Sequence, residues 1–595
     1  MKHFIFRLML EALRLTFFLL PTLLSAQVSG YIVVRPDTEK IAISPFVFGS
    51  GDEMTACFSP LVQTQPLIAA TKPSLLRFGG IGAEYLDWEA DSFAGFQYVD
   101  FLDTFIIPLP VNFGVDSFLR LCEDINAEPI LTVNMHIADT ALARRMVEYA
   151  NGDTTTPMGQ LRAARGHPLP YNVQIWSLGN EPDIAGGQWP TPPWQWTFYR
   201  HFGIPFLNWS WQDSSFWTPQ DFANLIPLYV NTMESASPIP LEFIYSIAGD
   251  PSWLRPVIEP NIDLIDYLDI HYYASSAWDT IADTTDYIEW LSKTDTIFPA
   301  EPYAQLFKDS LAAMGASDID LVVLEFNAGI IIVPDPLWWN YLTGLFIADC
   351  IGHWMHVGLK MAAVYSIHEG NPNDPADFPY FGIVRGDTAS RRMPSHVIEL
   401  YNTYFGDTLI YAFSDHKNTG YGIECWASIR SRDNKYVYVV INKTLDTTYT
   451  MTMQIKDSVG FFHLLNITNN APLNAPFNGT TGIEDHGFFA PDSIIGGWTF
   501  LTQSFEPVSV SLFEVTPYSG ITERREIFKD KILLPSMLKR GMILKLPLGI
   551  HVMYNIVGRE IYRWDNAEKI KIPDIPQGIY FLKIRSSAPK KVIIF

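Results

Sequence analysis

Between residues 45 and 368 eight short apolar runs recur with amphipathic stretches between them, and this alternation constrains the fold more than any other feature. The runs are "PFVFGS" (45–50), "LLRFGG" (75–80), "PILTVNMH" (129–136), "VQIWSLGN" (173–180), "LEFIYSIAGD" (241–250), "LIDYLDIHYY" (264–273), "DLVVLEFN" (320–327) and "MAAVYSIH" (361–368). Each is continuously apolar, the pattern of a strand covered on both faces. Helical periodicity fills the intervals, as in "DSFLRLCEDINA" (116–127) and "TPQDFANLIPLYVNTMESA" (218–236). The second of these opens with Thr218 as a cap and Pro219 at the first helical position. Eight strand–helix alternations predict an α/β fold closed into a (β/α)8 TIM barrel, not an open doubly wound sheet. No glycine-rich dinucleotide fingerprint follows the first run.

Polar residues gather at the C-terminal tips of these runs: Glu53, Arg77, Asn134 with His136, Asn180 with Glu181, Asp250, His271 with Tyr273, Glu325 with Asn327, and His368 with Glu369. In such barrels that rim carries the active site, while the opposite rim serves stability. One polar strand end is only punctuation; eight in succession point to chemistry. Glu181 ends the fourth run and Glu325 the seventh, so both face one barrel mouth. Two facing carboxylates can divide acid and nucleophile roles in glycoside cleavage, and a gap of about 5–5.5 Å permits double displacement with retention. Arg77 is expected to keep Glu325 ionised, and Glu181, facing that anion in a partly dry pocket, to hold a proton. Asn180 is placed to donate to a sugar hydroxyl. Asp250 and Glu369 compete for either catalytic role, or cap the segments that follow. His136, His271 and His368 come from three separate strands without a supporting carboxylate. They read as sugar-hydroxyl partners, and no metal or cofactor is expected.

Charge narrows the ligand. Lys and Arg number 41 against 64 Asp and Glu, a net charge of -23. Such a surface repels phosphate backbones and anionic lipid, which excludes nucleic acid as a partner and leaves neutral ligands open. Seventeen Trp and 27 Tyr suit sugar rings, stacking on their apolar faces while offering polar tips. At the N-terminus Lys2, Arg7 and Arg14 precede the apolar run 15–24, and Ser25-Ala26 supply small residues, so 1–26 reads as an export signal. Cys57, Cys122, Cys350 and Cys425 are far apart with no metal-ligand spacing, and pairing or burial as free thiols are both open.

From about residue 405 the texture changes to short alternating runs, "YVYVVINKT" (436–444), "YTMTMQI" (449–455) and "VSVSLFEV" (508–515), with Asn, Asp and Gly turns between. This predicts an antiparallel β-sandwich. The expected organisation is a signal (1–26), a first sandwich strand (27–40), the barrel (41–404), the sandwich (405–515), a charged linker (516–530) and a small β-rich tail (531–595).

At this point the motifs resemble a known group. "GNEP" after the fourth run, "HYY" after the sixth and "LEFN" after the seventh look like the retaining (β/α)8 glycoside hydrolases of clan A. Within that clan "ISPFVFGSGDE", "LLRFGGIGAEYLDWE" and a first strand lent to the sandwich resemble the α-L-arabinofuranosidase family with a C-terminal β-sandwich. The resemblance covers roughly residues 40 to 515. It implies Glu181 as acid/base, Glu325 as nucleophile, Asn180 as a hydroxyl-binding neighbour, and Glu53 and Tyr273 as sugar contacts. Two departures leave the sugar open. "GNEPD" also resembles glucuronidase, xylosidase and endoglucanase relatives, and residue 368 is histidine where the clan often has tryptophan.

Between 189 and 217 stand six tryptophans, Trp189 and Trp194 first among them. They read either as anchors of a self-packed lid or as stacking platforms for a polysaccharide. The tail, through "YNIVGREIY", "IPQGIYFLKI" and "KKVIIF", resembles the sorting domain of type IX secretion, which implies a secreted or surface-held protein and that machinery as a partner. The expected function is a secreted retaining glycoside hydrolase acting on polysaccharide or oligosaccharide. A non-catalytic carbohydrate-binding surface protein is the competing class, and a decayed barrel of that kind should have replaced one of Glu181, Glu325, Arg77 or Asn180. The sequence is silent on oligomeric state.

Overall fold

The computed structural model describes residues 26–52, 63–80, 83, 86–90, 92–93, 97–99, 104–106, 109–110, 113–135, 139–183, 218–274, 289, 291–296, 298–328, 342–369, 381–417, 420–468, 482–517, 537–538, 543–554, 560–576, 578–584 and 590–594. The eight apolar runs form the eight parallel strands of a closed barrel. In order they are Phe46–Asp52, Leu75–Phe78, Glu128–Val133, Ile175–Leu178, Glu242–Ile247, Tyr267–Ile270, Asp320–Asn327 and Met361–Tyr365. Each pairs with the next, and the eighth returns to the first. The sixth run differs from expectation: it breaks at His271 and resumes as Tyr272–Tyr273, still paired to strand seven.

Because side chains alternate along a strand, each run serves two cores. Leu75, Ile130, Ile175, Ile244, Val322, Leu324, Met361 and Ala363 come from six strands yet pack as one cluster, with Phe46 and Tyr267 against it. Side chains from so many strands can meet only inside the barrel, where they form an apolar floor. Their neighbours Leu76, Leu131, Trp176, Phe243, Leu268 and Ala362 belong to the outer core shared with the helices. Two residues beyond the floor, the inward face turns polar: Arg77, Thr132, Ser177, Ser246 and Asp269 are all buried. Gly79 follows from that layer. A Cβ there would stand 2.8 Å from the Arg77 guanidinium carbon, so only glycine leaves the side chain room.

The helix Pro219–Glu234 starts at the expected place. Asp221 N donates to Thr218 Oγ1 at 3.2 Å and Thr218 N to Asp221 Oδ2 at 3.1 Å, a reciprocal cap.

The β-sandwich lies in the same compact unit as the barrel, which ends at Pro517. The strand Ala26–Arg35 joins its two halves. It runs antiparallel to Thr408–Ser414 and parallel to Thr447–Ile455, so the expected purely antiparallel order is broken at this donated strand. A second core, including Ile32, Val34, Tyr438, Met451, Met453, Phe462 and Phe513, fills the sandwich. The helix Leu342–Val357 meets both domains, with Trp426 of the sandwich lying over Gly352. Cys350 and Cys425 are buried free thiols, and Cys122 is buried as well. Tyr518–Phe595 is a separate unit whose described strands, Met537–Leu538, Ile543–Tyr554, Glu560–Lys571, Gly578–Ile584 and Lys590–Ile594, form one five-stranded sheet.

Candidate active site

Strand four ends at Leu178, and the chain then turns sharply into the barrel mouth. Gly179 takes φ +71°, which suits glycine, and Glu181 takes φ +48°, which a non-glycine residue rarely adopts. Such a conformation costs on the order of 1–3 kcal/mol and persists only where surrounding contacts fix it. Here Ser177 Oγ donates to the Gly179 carbonyl at 3.0 Å. Asp183 accepts the backbone N–H groups of Ala248, Gly249 and Asp250 at 2.8–3.0 Å, tying the loop after strand four to that after strand five. The amide and carboxylate at the tip of "YNVQIWSLGNEPD" are therefore held by a braced turn, not left at a frayed end.

Around that turn the polar tips converge. Arg77 Nη1 donates to Glu325 Oε1 at 2.6 Å, and its Nη2 donates to Asn180 Oδ1 at 2.6 Å. Tyr273 donates its hydroxyl to Glu325 Oε2 at 2.9 Å. His271 Nδ1 lies 2.5 Å from Glu181 Oε1 and 3.5 Å from Glu325 Oε2. One carboxylate oxygen of Glu181 and one of Glu325 lie within 4.8 Å of each other and of a His271 nitrogen. The Arg77 and His271 side chains are 1% exposed and that of Glu325 is 7%, while Glu181 keeps 17%. Of these four, Glu181 is the most open to an incoming molecule.

Burial sets the direction of the titrations. It raises the Glu181 carboxyl above its ordinary value; His271 opposes this and Glu325 adds to it. Burial works against charge on His271, yet Glu325, Asp269 and Glu181 outweigh it and hold the imidazole well above its usual range. Burial and the two glutamates likewise push Tyr273 up, so its hydroxyl stays a donor. A carboxyl raised toward its protonated form beside an arginine-bound carboxylate is the asymmetry that acid and nucleophile roles require.

The other candidates are placed as follows. Asn134 donates to the Leu86 carbonyl at 3.4 Å. His368 Nε2 lies 3.0 Å from Thr64 Oγ1. His271 was expected to meet a sugar hydroxyl; both its nitrogens are instead engaged by protein groups, Nδ1 as above and Nε2 by Ser246 Oγ and Asp269 Oδ2 at 3.2 Å. Asp250 accepts from Ser252 N and caps the short helix Pro251–Trp253. Glu369 accepts from Ser366 Oγ and Phe381 N, away from either catalytic role. Asn327 Nδ2 donates to the Tyr365 carbonyl, linking strands seven and eight. Glu53, His136, Trp189 and Trp194 lie outside the described residues. Sequence reasoning passed over Asp269, Ser246 and Asp183. The one signal for Asp269 was an acid interrupting the apolar run "LIDYLDIHYY" two residues before His271.

Two clusters present metal-type donors, Glu181–His271–Glu325 and Asp295–Asp349–His353. Both already carry protein cations. Arg77 occupies the first. Lys443 Nζ lies 2.7 Å from Asp349 and Lys417 Nζ 2.9 Å from Asp295 in the second.

A closed (β/α)8 barrel with facing glutamates at the tips of strands four and seven, an arginine on the second of them and a C-terminal sandwich defines the fold class of this chain. Within that class, residues 68–290 match the Alpha-L-arabinofuranosidase 1 domain. A curated relative, Alpha-L-arabinofuranosidase C of Emericella nidulans, is 44% identical over 70 residues, which are 12% of this chain and 14% of that protein. The chain thus spans about a seventh of that relative's length. Among solved structures, the α-L-arabinofuranosidase from Thermotoga maritima in its arabinose complex superposes with a TM-score of 0.62 at 19% identity, covering 82% of this chain and 100% of that one. The GH51 arabinofuranosidase from Xanthomonas axonopodis pv. citri gives 0.63 at 15%, covering 82% and 100%. The fold expected from the motifs is borne out, and residues 68–290 carry the domain match that the resemblance implied.

Proposed function

We propose that this chain is a retaining glycoside hydrolase, an α-L-arabinofuranosidase, with Glu325 as nucleophile and Glu181 as acid/base. The observation that carries the reading is the pair of carboxylates within 4.8 Å of each other, one bound to Arg77 and the other raised toward its protonated form. That spacing suits the double-displacement class, which has no room for a water between the carboxyl groups. In the first step a Glu325 oxygen bonds to the anomeric carbon while the bond to the leaving oxygen breaks, and Glu181 gives that oxygen its proton. In the second, Glu181 takes a proton from water, whose oxygen displaces Glu325 and frees the sugar. Arg77 and Tyr273 hold the Glu325 carboxylate aimed. In this reading Tyr273, Asn180 and Asn134 line the sugar site. The matched arabinofuranosidase domain supports the sugar.

The export reading of residues 1–26, the type IX sorting resemblance of 531–595 and the stacking reading of the tryptophan segment complete the proposal: a secreted or cell-surface enzyme acting on arabinose-bearing polysaccharide or oligosaccharide. Hydrolysis of a panel of aryl glycosides, α-L-arabinofuranosides included, tests the core of it. Wild type should cleave the arabinofuranoside with retention, Glu325→Ala should lose at least about 10³-fold in kcat, and Glu181→Ala should recover turnover with azide on an activated aryl substrate. Cleavage of a β-glucoside or glucuronide alone moves the chain to another branch of the clan. Equal activity in wild type and Glu325→Ala removes Glu325 from the mechanism. Fractionation of the producing cells checks the export reading; retention of the full-length chain in the cytoplasm overturns it.

A further inference from the structure

We propose that Asp269, buried in the barrel one layer beneath the reaction centre, is a positioning residue that holds His271 as an imidazolium donating through both ring nitrogens. The inference rests on the glycosidase reading of the same site.

Asp269 is fully buried and each of its oxygens is used. Oδ1 accepts Leu324 N at 2.7 Å from strand seven. Oδ2 accepts Ser246 Oγ at 2.7 Å from strand five and lies 3.2 Å from His271 Nε2. A carboxylate so placed needs a cation. Arg77 is committed to Glu325 and Asn180 and reaches this group only through Ser246 Oγ, at 3.5 Å. The imidazole is the cation in direct contact.

The groups facing His271 come from every neighbouring element. Strand four and its loop bring Glu181 and Asp183, strand seven brings Glu325, and strand two brings Arg77. Tyr273 stands on its own strand, and Tyr303 of the helix Ala300–Ala313 donates to the His271 carbonyl at 2.9 Å. Asp183 is engaged by three backbone N–H groups, and the other three carboxyl groups, Glu181, Glu325 and Asp269, surround two cationic side chains at the centre. The charges cancel when Glu325 and Asp269 are ionised, Arg77 and His271 are cationic, and Glu181 keeps its proton, the form that can act as an acid.

The protonation of His271 decides where that proton points. An imidazolium donates Nδ1–H to Glu181 Oε1, so the acidic hydrogen must sit on Oε2. A neutral ring whose single hydrogen faces Asp269 presents a bare Nδ1 instead. That lone pair draws the Glu181 proton away from the leaving oxygen. Asp269 prevents this by stabilising the doubly protonated ring. It touches no substrate, and acts through His271.

Asp269→Asn is nearly isosteric and removes the anion. Taking one negative charge out of the cluster lowers the apparent pKa at which the Glu181–His271 pair loses a proton. The alkaline limb of kcat/KM should move down by about one pH unit or more. The kcat loss should be at least about tenfold on a poor leaving group such as an oligosaccharide and under about threefold on a dinitrophenyl glycoside, which needs no acid. An unmoved or upward-moving limb, or equal loss on both substrates, overturns the proposal. Where Asp269→Asn does not fold, wild type labelled with [15N]histidine decides, with His271 assigned from the His271→Gln spectrum. Both ring nitrogens should remain protonated up to at least pH 8; a neutral ring at pH 7 overturns the inference. Wild-type cleavage abolished by Glu325→Ala tests the glycosidase reading separately, and the nitrogen titration stands without it.

Discussion

Arg77 shows how much one side chain carries here. Its two terminal nitrogens fix a carboxylate and an amide from different strands, a fork that a lysine does not reproduce. Arg77→Ala leaves Glu325 buried beside Asp269 without the guanidinium, and breaking a buried pair in this way costs about 3–5 kcal/mol. Thermal unfolding of Arg77→Ala should show that loss, and Arg77→Lys a smaller one. Activity should fall by orders of magnitude in both, because one amine cannot aim Glu325 and Asn180 together; an Arg77→Lys protein with wild-type kcat would end this account. Glu181, Glu325, Arg77 and Asn180 were legible in the sequence because each ends an apolar run, and a polar residue there has few structural uses. Asp269 was not, because it lies inside such a run. Only the alternation of faces, referred to a known floor at Tyr267, turns it inward beneath His271. Likewise the role of His271 depends on neighbours from four strands, which no local pattern records.

The elements were more legible than their contacts. The runs marked all eight barrel strands, and Thr218-Pro219 marked a helix start, because periodicity and capping are local properties. The break of strand six at His271 left no trace in a run that reads as uniformly strand-like. The helix Leu342–Val357 is likewise apolar on nearly every face, since it is buried between barrel and sandwich. Its Gly352 lies directly beneath the Trp426 indole, so that a Cβ would fall 2.0 Å from the ring. Substitution there must push the two domains apart or bend the helix. Gly352→Leu should therefore lower stability by at least about 1–3 kcal/mol, the ordinary cost of overpacking, even though alanine and leucine are better helix formers than glycine. Trp426→Ala in the same background should recover part of the loss if the clash is the cause; no recovery would place the strain elsewhere.

At the scale of the whole molecule, barrel and sandwich are joined by buried charge as well as by packing. Asp349 on the helix Leu342–Val357 meets Lys443 of the sandwich at 2.7 Å and accepts from Thr294 Oγ1 at 2.6 Å. Lys417 bridges Asp295 and Glu424 at 2.9 and 3.0 Å. His353 stands among Glu301, Asp295 and Asp349, with Nδ1 2.8 Å from Glu301 Oε1. Burial opposes its charge, but Asp349, Glu301 and Asp295 raise its pKa to about 10. An ordinary histidine titrates near 6.5, so the folded protein binds this proton more tightly than the unfolded chain. The stabilisation is complete below pH 6.5 and is lost as pH rises toward 10. Glu424 acts in the same direction over a lower window. Burial, aided by Asp349, raises it to about 7 against the pull of Lys417 and Lys443, so its contribution fades between about pH 4.5 and 7. Asp349 is held well below the carboxylate range and Lys443 is raised, which keeps that pair charged throughout. Melting temperature should therefore fall from pH 6.5 to 10, and His353→Gln should flatten that decline while lowering Tm at pH 6 by about 5 °C or more. The difference between the two proteins isolates His353 from the other histidines, which both retain. Parallel curves for wild type and variant would mean that this imidazole is neutral in the folded state, and that the domains are held together without it.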